Sequence, residues 1–475
     1  MSSAKTLKVL GCVMVCAVLM LPGWASAQTE REKELMLMIE ALKERVEALE
    51  KKAAEAPPAE AASPELSDRV EKIESTLAEE EKKSATDFRA FWKEGLNFET
   101  EDGTFKLKIG GRIQHDWAWF DTDDSLEFRV DFQDGTEFRR SRLFVSGDIY
   151  ENIFFKAEYD FATGAPEFKD VYVGMSEIPY IGNVQIGQFK EPFGMDQLRS
   201  DNYLTFMERP MSIEAFTPDR QTGAMLFNTA LDERMTWGVG IFRDVDNFGA
   251  GSDDGGYNVT GRVTGLPYYK EEGRKLLHLG AAYSHRNPDG DVRYRTRPEA
   301  HLSPIRLVDT LLIDADDVDE FGLESAFVYG PFSMQGEYLF VDVDRDGGAG
   351  SVDFDGWYLQ ASYFLTGEHM AYKTDAANFD KIKPKNNFNI KNRTWGAWEV
   401  ALRYSTIDLD DGPLFPWFGF PGVSGGEEDN WTLGLNWYLN PNTKFMFNYV
   451  RANSEHVLWG DEDVNVLQTR FQVFF

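Results

Sequence analysis

Counting back from its last residue, the chain alternates: Leu467, Thr469, Phe471, Val473 and Phe475 take every second position. Successive side chains of a strand point to opposite faces, so such a run presents one largely apolar face and one polar face. The same period recurs upstream. Phe105, Leu107, Ile109, Ile113, Trp117 and Trp119 share one face of a segment whose other face carries Lys106, Lys108, Arg112, Gln114 and Asp116. Leu143/Val145/Ile149, Trp237/Val239/Ile241, Trp357/Leu359/Ala361/Tyr363 and Trp431/Leu433/Leu435/Trp437 repeat it. About sixteen such segments fit into residues 88–475, with strands of ~9–11 residues. The predicted fold class is all-β: a transmembrane β-barrel of about 16 antiparallel strands, its lipid face on one parity and its water-filled lumen on the other.

Connections alternate too. Short ones fall near 150–152, 230–234, 329–332 and 440–443, and long ones at 190–221, 243–256, 285–317 and 408–429. Residues 366–396 form a long connection where parity asks for a short turn. Either a strand is miscounted there or that turn is elaborated. Trp and Tyr gather at strand ends, where amphipathic rings suit a lipid–water boundary. A soluble sandwich would instead need a dry core on its polar-alternating faces.

The N-terminus follows different rules. Lys5 and Lys8 precede an apolar run from Val9 to Leu21 and then Ala25-Ser26-Ala27, so residues 1–27 read as a signal peptide. The run is short for a spanning anchor. Cys12 and Cys16 both lie inside it, which leaves the exported chain without disulfides or thiol chemistry. In residues 28–87, Leu35, Ile39, Leu42, Val46 and Leu49, and then Leu66, Val70, Ile73 and Leu77, repeat at heptad spacing. Ala56-Pro57-Pro58-Ala59 and Ser63-Pro64 break the two halves. The expectation is an N-terminal α-helical coiled-coil segment, a periplasmic stalk and linker. The alternative is a pair of amphipathic helices resting on the barrel or on the cell wall.

Charge narrows the function. A net charge of −31 argues against nucleic-acid partners, which require clustered Lys and Arg. Enzyme readings find little support. Gly422-Val423-Ser424-Gly425-Gly426 fits a nucleophile elbow but lacks the strand-to-helix turn, and the six His show no metal-ligand spacing. The chain is read as no enzyme and as carrying no cofactor, with one exception. Asp342, Asp344 and Asp346, followed by Asp353, mimic a calcium loop with Asp in place of the terminal Glu.

On strand parity, Lys106, Lys108, Arg112, Arg140, Arg142, Lys156 and Arg262 face the lumen, and Arg293, Arg295 and Arg297 share one face of a long loop if it is extended. Stacked cations exchange an oxyanion's hydration for charge-assisted hydrogen bonds, while several weak sites still let it leave. Inward Asp148, Glu158, Asp160, Glu320, Glu324, Glu337 and Glu399 oppose them.

Several segments resemble the family of phosphate-selective porins O and P. They are Phe105-Lys106-Leu107-Lys108-Ile109-Gly110-Gly111-Arg112-Ile113-Gln114, Glu137-Phe138-Arg139-Arg140-Ser141-Arg142-Leu143, Gly187-Gln188-Phe189-Lys190-Glu191-Pro192-Phe193, Thr205-Phe206-Met207-Glu208-Arg209, Gly396-Ala397-Trp398-Glu399 and Gly434-Leu435-Asn436-Trp437-Tyr438. The resemblance implies a sixteen-stranded outer-membrane barrel, usually a homotrimer, passing phosphate or polyphosphate through an Arg- and Lys-lined pore. It also implies that the loops at 190–221 and 285–317 fold into the lumen, with Lys190, Arg199, Arg209 and Arg220 at the constriction. Expected surroundings are outer-membrane lipid and lipopolysaccharide, with cell-wall contact through 28–87. The rival functions are a weakly selective or cation-leaning diffusion porin and a structural envelope tether.

Overall fold

The structure, a computed structural model, describes residues 72, 73, 75, 88–122, 132–252, 255–412, 422–456 and 460–475. The chain divides into two compact units, residues 1–81 and 82–475. The signal peptide and the coiled coil lie outside the described residues, apart from Lys72, Ile73 and Ser75.

Sixteen of the described strands are long, and each pairs antiparallel with its neighbour in sequence. They are β1 (Phe105–Thr122), β2 (Gly135–Ile149), β3 (Ile153–Asp160), β4 (Glu167–Ile178), β5 (Gly182–Lys190), β6 (Arg220–Ala230), β7 (Met235–Arg243), β8 (Asn258–Lys270), β9 (Lys275–Arg286), β10 (Ile313–Tyr329), β11 (Phe332–Arg345), β12 (Gly350–Phe364), β13 (Ala397–Asp411), β14 (Val423–Asn440), β15 (Thr443–Glu455) and β16 (Glu462–Phe474). The last strand pairs with the first, from Val464 against Thr122 to Phe474 against Arg112, and so closes the barrel. The terminal Phe475 exchanges both backbone hydrogen bonds with Gly111, at 2.7 and 2.9 Å. A Cβ on Gly110 would sit 2.4 Å from the Phe475 carbonyl oxygen, so the seam closes only over glycine there. Closure pairs the first and last barrel strands, as lipid demands of backbone that water cannot reach.

The two parities do serve different surroundings. Leu323, Tyr338, Leu359, Leu402, Leu433 and Leu467 are exposed on the outside, while Glu324, Glu337, Gln360, Arg403, Thr432 and Gln468 are buried within. A water-soluble protein would reverse that arrangement.

Residues 365–396 join β12 to β13, at the barrel end where the other turns are short. The strand count stands, and the turn is elaborated. It carries a small hairpin, Tyr372–Lys373 with Asn378–Phe379, and buries Met370, Phe379 and Ile382 against Met195, Leu276, Val328 and Phe364. At the long-loop end, residues 191–219 enter with two short helices, α1 (Met195–Leu198) and α2 (Met211–Phe216). Phe193, Met211, Ile213 and Phe216 pack on Val341, Phe354, Ile407 and Leu409 of β11–β13, with Tyr294 and Val308 of the 287–312 loop beside them. Each such side chain contributes ~1.5–3 kcal/mol by leaving water. The lumen is thus partly filled by its own connections. A further hairpin, Phe88–Trp92 with Leu96–Thr100, extends the sheet by pairing Leu96–Glu99 with the start of β1.

Candidate functional site

The charged part of the interior lies where the 191–219 loop meets β1–β4, β6 and β16. Its centre is Asp201, between α1 and α2. The Asp201 Oδ2 lies 3.0 Å from Arg140 Nε, 3.0 Å from Arg142 Nη1 and 3.5 Å from Arg112 Nη1. Its Oδ1 lies 2.8 Å from Arg209 Nη1. Burial alone would raise the Asp201 carboxyl, but Arg140, Arg209 and Arg142 hold it well below the usual carboxylate range.

Further carboxylates share these cations. Glu158 pairs with Arg112 at 3.1 Å and with Lys156 at 2.5 Å, and Asp160 accepts from Arg142 Nε at 2.6 Å. Asp170 on β4 holds Lys156 at 2.6 Å and Arg220 at 2.7 Å. Lys106 meets Asp148 at 3.8 Å, and Lys108 lies over the Phe144 ring.

The other expected residues separate from this cluster. Lys190 donates to the Gln197 carbonyl at 2.5 Å, within its own loop region. Arg199 turns away from the Asp201 cluster; it is buried over the Phe379 ring and donates to Met370 Sδ, tying the loop to the 365–396 segment. Arg209 also donates to the carbonyls of Asp196 and Arg199, at 3.0 and 2.9 Å, so half of its guanidinium shapes the loop. Arg262 pairs with Glu324 at 2.6 Å and with the Ala377 carbonyl, sharing no partner with Asp201. In the 287–312 loop Arg293 pairs with Asp309 and Arg297 with Glu214, while Tyr294 and Thr296 on the opposite parity are buried. Arg306, from the same loop, has its guanidinium pushed down by burial and by the nearby Arg297 and Arg295.

The calcium-loop expectation needs correction. Asp342 and Asp344 lie in β11 and Asp353 in β12, where Asp342 and Asp353 are register partners; only Asp346 belongs to the turn. Ladder pairing consumes the backbone that a cation loop would need to fold inward. The serine of the elbow-like motif, Ser424, is likewise a strand residue in β14. Among the described residues, ligand atoms that converge well enough for a metal belong to His285, Asp317 and Asp319.

Sequence reading also missed several charged residues of the interior. Arg139 should face outward by parity, yet it donates to Glu208 through Nε and Nη2 at 2.9 and 3.0 Å. A bulge between Gln114 and His115, where the pairing steps from Arg140 to Phe138, lets Arg139 and Arg140 both reach inward. Arg470 on β16 grips Asp116 with two hydrogen bonds of 2.7 Å and reaches Glu208 at 2.6 Å. Arg403 on β13 pairs with Glu299 and covers the Phe206 ring. Parity would have found Arg403 and Arg470; Asp201, Glu208 and Glu299 could not be placed, because loops carry no period.

A closed sixteen-stranded barrel with an apolar outside, a charged interior and an infolded loop is an outer-membrane porin. The comparisons give the family. Residues 107–475 match the phosphate-selective porins O and P, and the chain belongs to that family. It is 28% identical over 415 residues to Porin O of Pseudomonas aeruginosa, covering 81% of this chain and 91% of that one. It is 30% identical over 403 residues to an uncharacterized protein of Caulobacter vibrioides, covering 81% and 76%. Among solved structures, the outer membrane channel DcaP of Acinetobacter baumannii shares the fold with a TM-score of 0.50 at 12% identity, covering 80% of this chain and 99% of that one.

Proposed function

We propose that this porin carries small oxyanions, phosphate foremost, along the β1–β4 wall and past the Arg112/Arg140/Arg142/Arg209 group. The observation that supports this reading is the convergence of those four guanidiniums on one point of the lumen. Their planar forks suit tetrahedral oxyanions, and low-dielectric walls focus the field of local charges whatever the net charge of the chain. Arg293, Arg295, Arg297 and Arg306 of the 287–312 loop raise the anion concentration on the way in. Lys106 and Lys108 continue the path toward the short-turn end.

A weakly selective porin is the second reading, favoured by one observation: Arg112, Arg140, Arg142, Lys156 and Arg220 each already have a carboxylate. Planar-bilayer recordings under a KCl gradient, with phosphate, pyrophosphate and chloride in competition, separate the two. The phosphate reading requires an anion-selective reversal potential and a phosphate-dependent drop in chloride current. A cation-selective reversal indifferent to phosphate would sink it. Family resemblance also implies a homotrimer, which the mass of the detergent-solubilised protein checks.

A further inference from the structure

We propose that Asp201 is the specificity-determining residue of the constriction: its carboxylate takes the seat that a permeating oxyanion would need among Arg112, Arg140, Arg142 and Arg209. This inference rests on the anion-channel reading above and deepens it.

The geometry is that of a bound anion supplied by the chain itself. One carboxylate meets four guanidiniums at 2.8–3.5 Å. They come from β1, from β2 and from the loop, so the cradle is built by wall and loop together. Asp201 is only 4% exposed. Its four partners depend on it unequally. Arg112 and Arg142 keep Glu158 and Asp160, and Arg209 keeps the carbonyls of its own loop. Arg140 otherwise has only the neutral Gln114 Oε1, at 2.9 Å. Without the Asp201 charge, the cradle holds a guanidinium with no carboxylate in contact, Glu208 acting on it only from further off, beside three others aimed at the same space.

Other contacts hold the loop in place. Glu337 accepts from the backbone N–H groups of Met195 and Asp196 at 2.7 and 2.8 Å. Gln472, Lys444, Asn436, Arg470 and Arg403 donate to the carbonyls of Asn202, Leu204, Thr205, Met207 and Glu208. With the loop fixed by these bonds and by the apolar cluster around Phe193 and Phe216, the Asp201 carboxylate is free to act as a charge. A tethered competitor has a high effective concentration, so a diffusing oxyanion binds weakly and leaves quickly. Its removal converts a site of passage into a site of retention.

The test uses the full exported chain in planar bilayers, comparing wild type, Asp201→Asn and Asp201→Glu, with inorganic phosphate titrated against chloride current. Asp201→Asn should lower the half-blocking phosphate concentration by about tenfold or more and raise the anion-to-cation permeability ratio. Asp201→Glu, which keeps the charge, should stay within about threefold of wild type. Phosphate should also raise the melting temperature of Asp201→Asn more than that of wild type. An unchanged blocking concentration in Asp201→Asn overturns the proposal. So does its failure to form a heat-modifiable barrel both with and without phosphate, since Asp201 would then be a structural tie. Wild type that is cation-selective defeats the anion reading itself, whereas anion-selective wild type with an indifferent Asp201→Asn defeats only this inference.

Discussion

Glu208 shows what one side chain does where loop and wall meet. It accepts two hydrogen bonds from Arg139 and one from Arg470, and Arg470 is fully buried. Replacing it by Gln leaves two guanidiniums without that charge in a dry setting, where breaking a buried pair costs about 3–5 kcal/mol. Glu208→Gln should therefore lower the urea midpoint of the refolded barrel, or release the loop first, seen as new protease cuts within residues 191–219. The pH dependence follows from the same pairing. Burial would raise the Glu208 carboxyl, but Arg139 and Arg470 hold it well below its ordinary value. A depressed folded-state pKa gives stability that is present above the unfolded value of about 4.3 and is lost as pH falls through the lowered folded value. The loop should stay docked at pH 4 and loosen only in stronger acid, a boundary that protease accessibility against pH will show.

Among the elements, strands were legible because each one touches two solvents, and the sequence records that contact at every second position. Leu433 and Leu467 outside, against Thr432 and Gln468 inside, are the rule at work. Arg139 escaped it because a bulge cancels parity for one residue, and nothing local in Glu137-Phe138-Arg139-Arg140 marks where the extra residue falls. The infolded loops escaped it more completely. Phe193, Met211 and Phe216 are apolar with no period, and their partners on β11–β13 lie far along the chain. Asp201 could not be assigned to the arginine cradle for the same reason: its position is set by backbone bonds to side chains 87 to 270 residues away. The 365–396 segment was detectable only as a violation of turn parity, and its inward packing was not. That packing predicts a conductance effect. Phe379→Ala removes the ring beneath Arg199 and part of the apolar anchor shared with Met370 and Ile382. Single-channel conductance should rise as the segment loosens, with the reversal potential unchanged because the segment reaches the Asp201 cluster only through Arg199, whose side chain pairs with none of the cluster's charges. A shift in reversal potential without a change in conductance would contradict this division of labour.

For the molecule as a whole, the charge total and the pore's charge are separate quantities. The chain carries −31 overall, yet four guanidiniums converge on one carboxylate inside the barrel. Residues 28–87, expected to form a stalk, count toward the first quantity. Deleting them should leave conductance and selectivity intact while reducing co-sedimentation with the cell wall, and loss of the pore itself would make the segment part of the channel. Ionic strength separates the two groups of cations within the pore. Exposed charges act over a Debye length of about 10 Å at 0.1 M salt and about 3 Å at 1 M, whereas buried pairs are screened far less. Arg293, Arg295, Arg297 and Arg306 lie in the half-exposed 287–312 loop, and Arg112, Arg140 and Arg142 are buried. Arg295→Gln with Arg306→Gln should therefore cut anion permeability at 0.1 M salt and do little at 1 M. Arg140→Gln should alter selectivity at both. Equal salt dependence in the two variants would mean that the loop and the constriction sense the same solvent, which would remove the reason for placing selectivity at the buried cluster and attraction at the entrance.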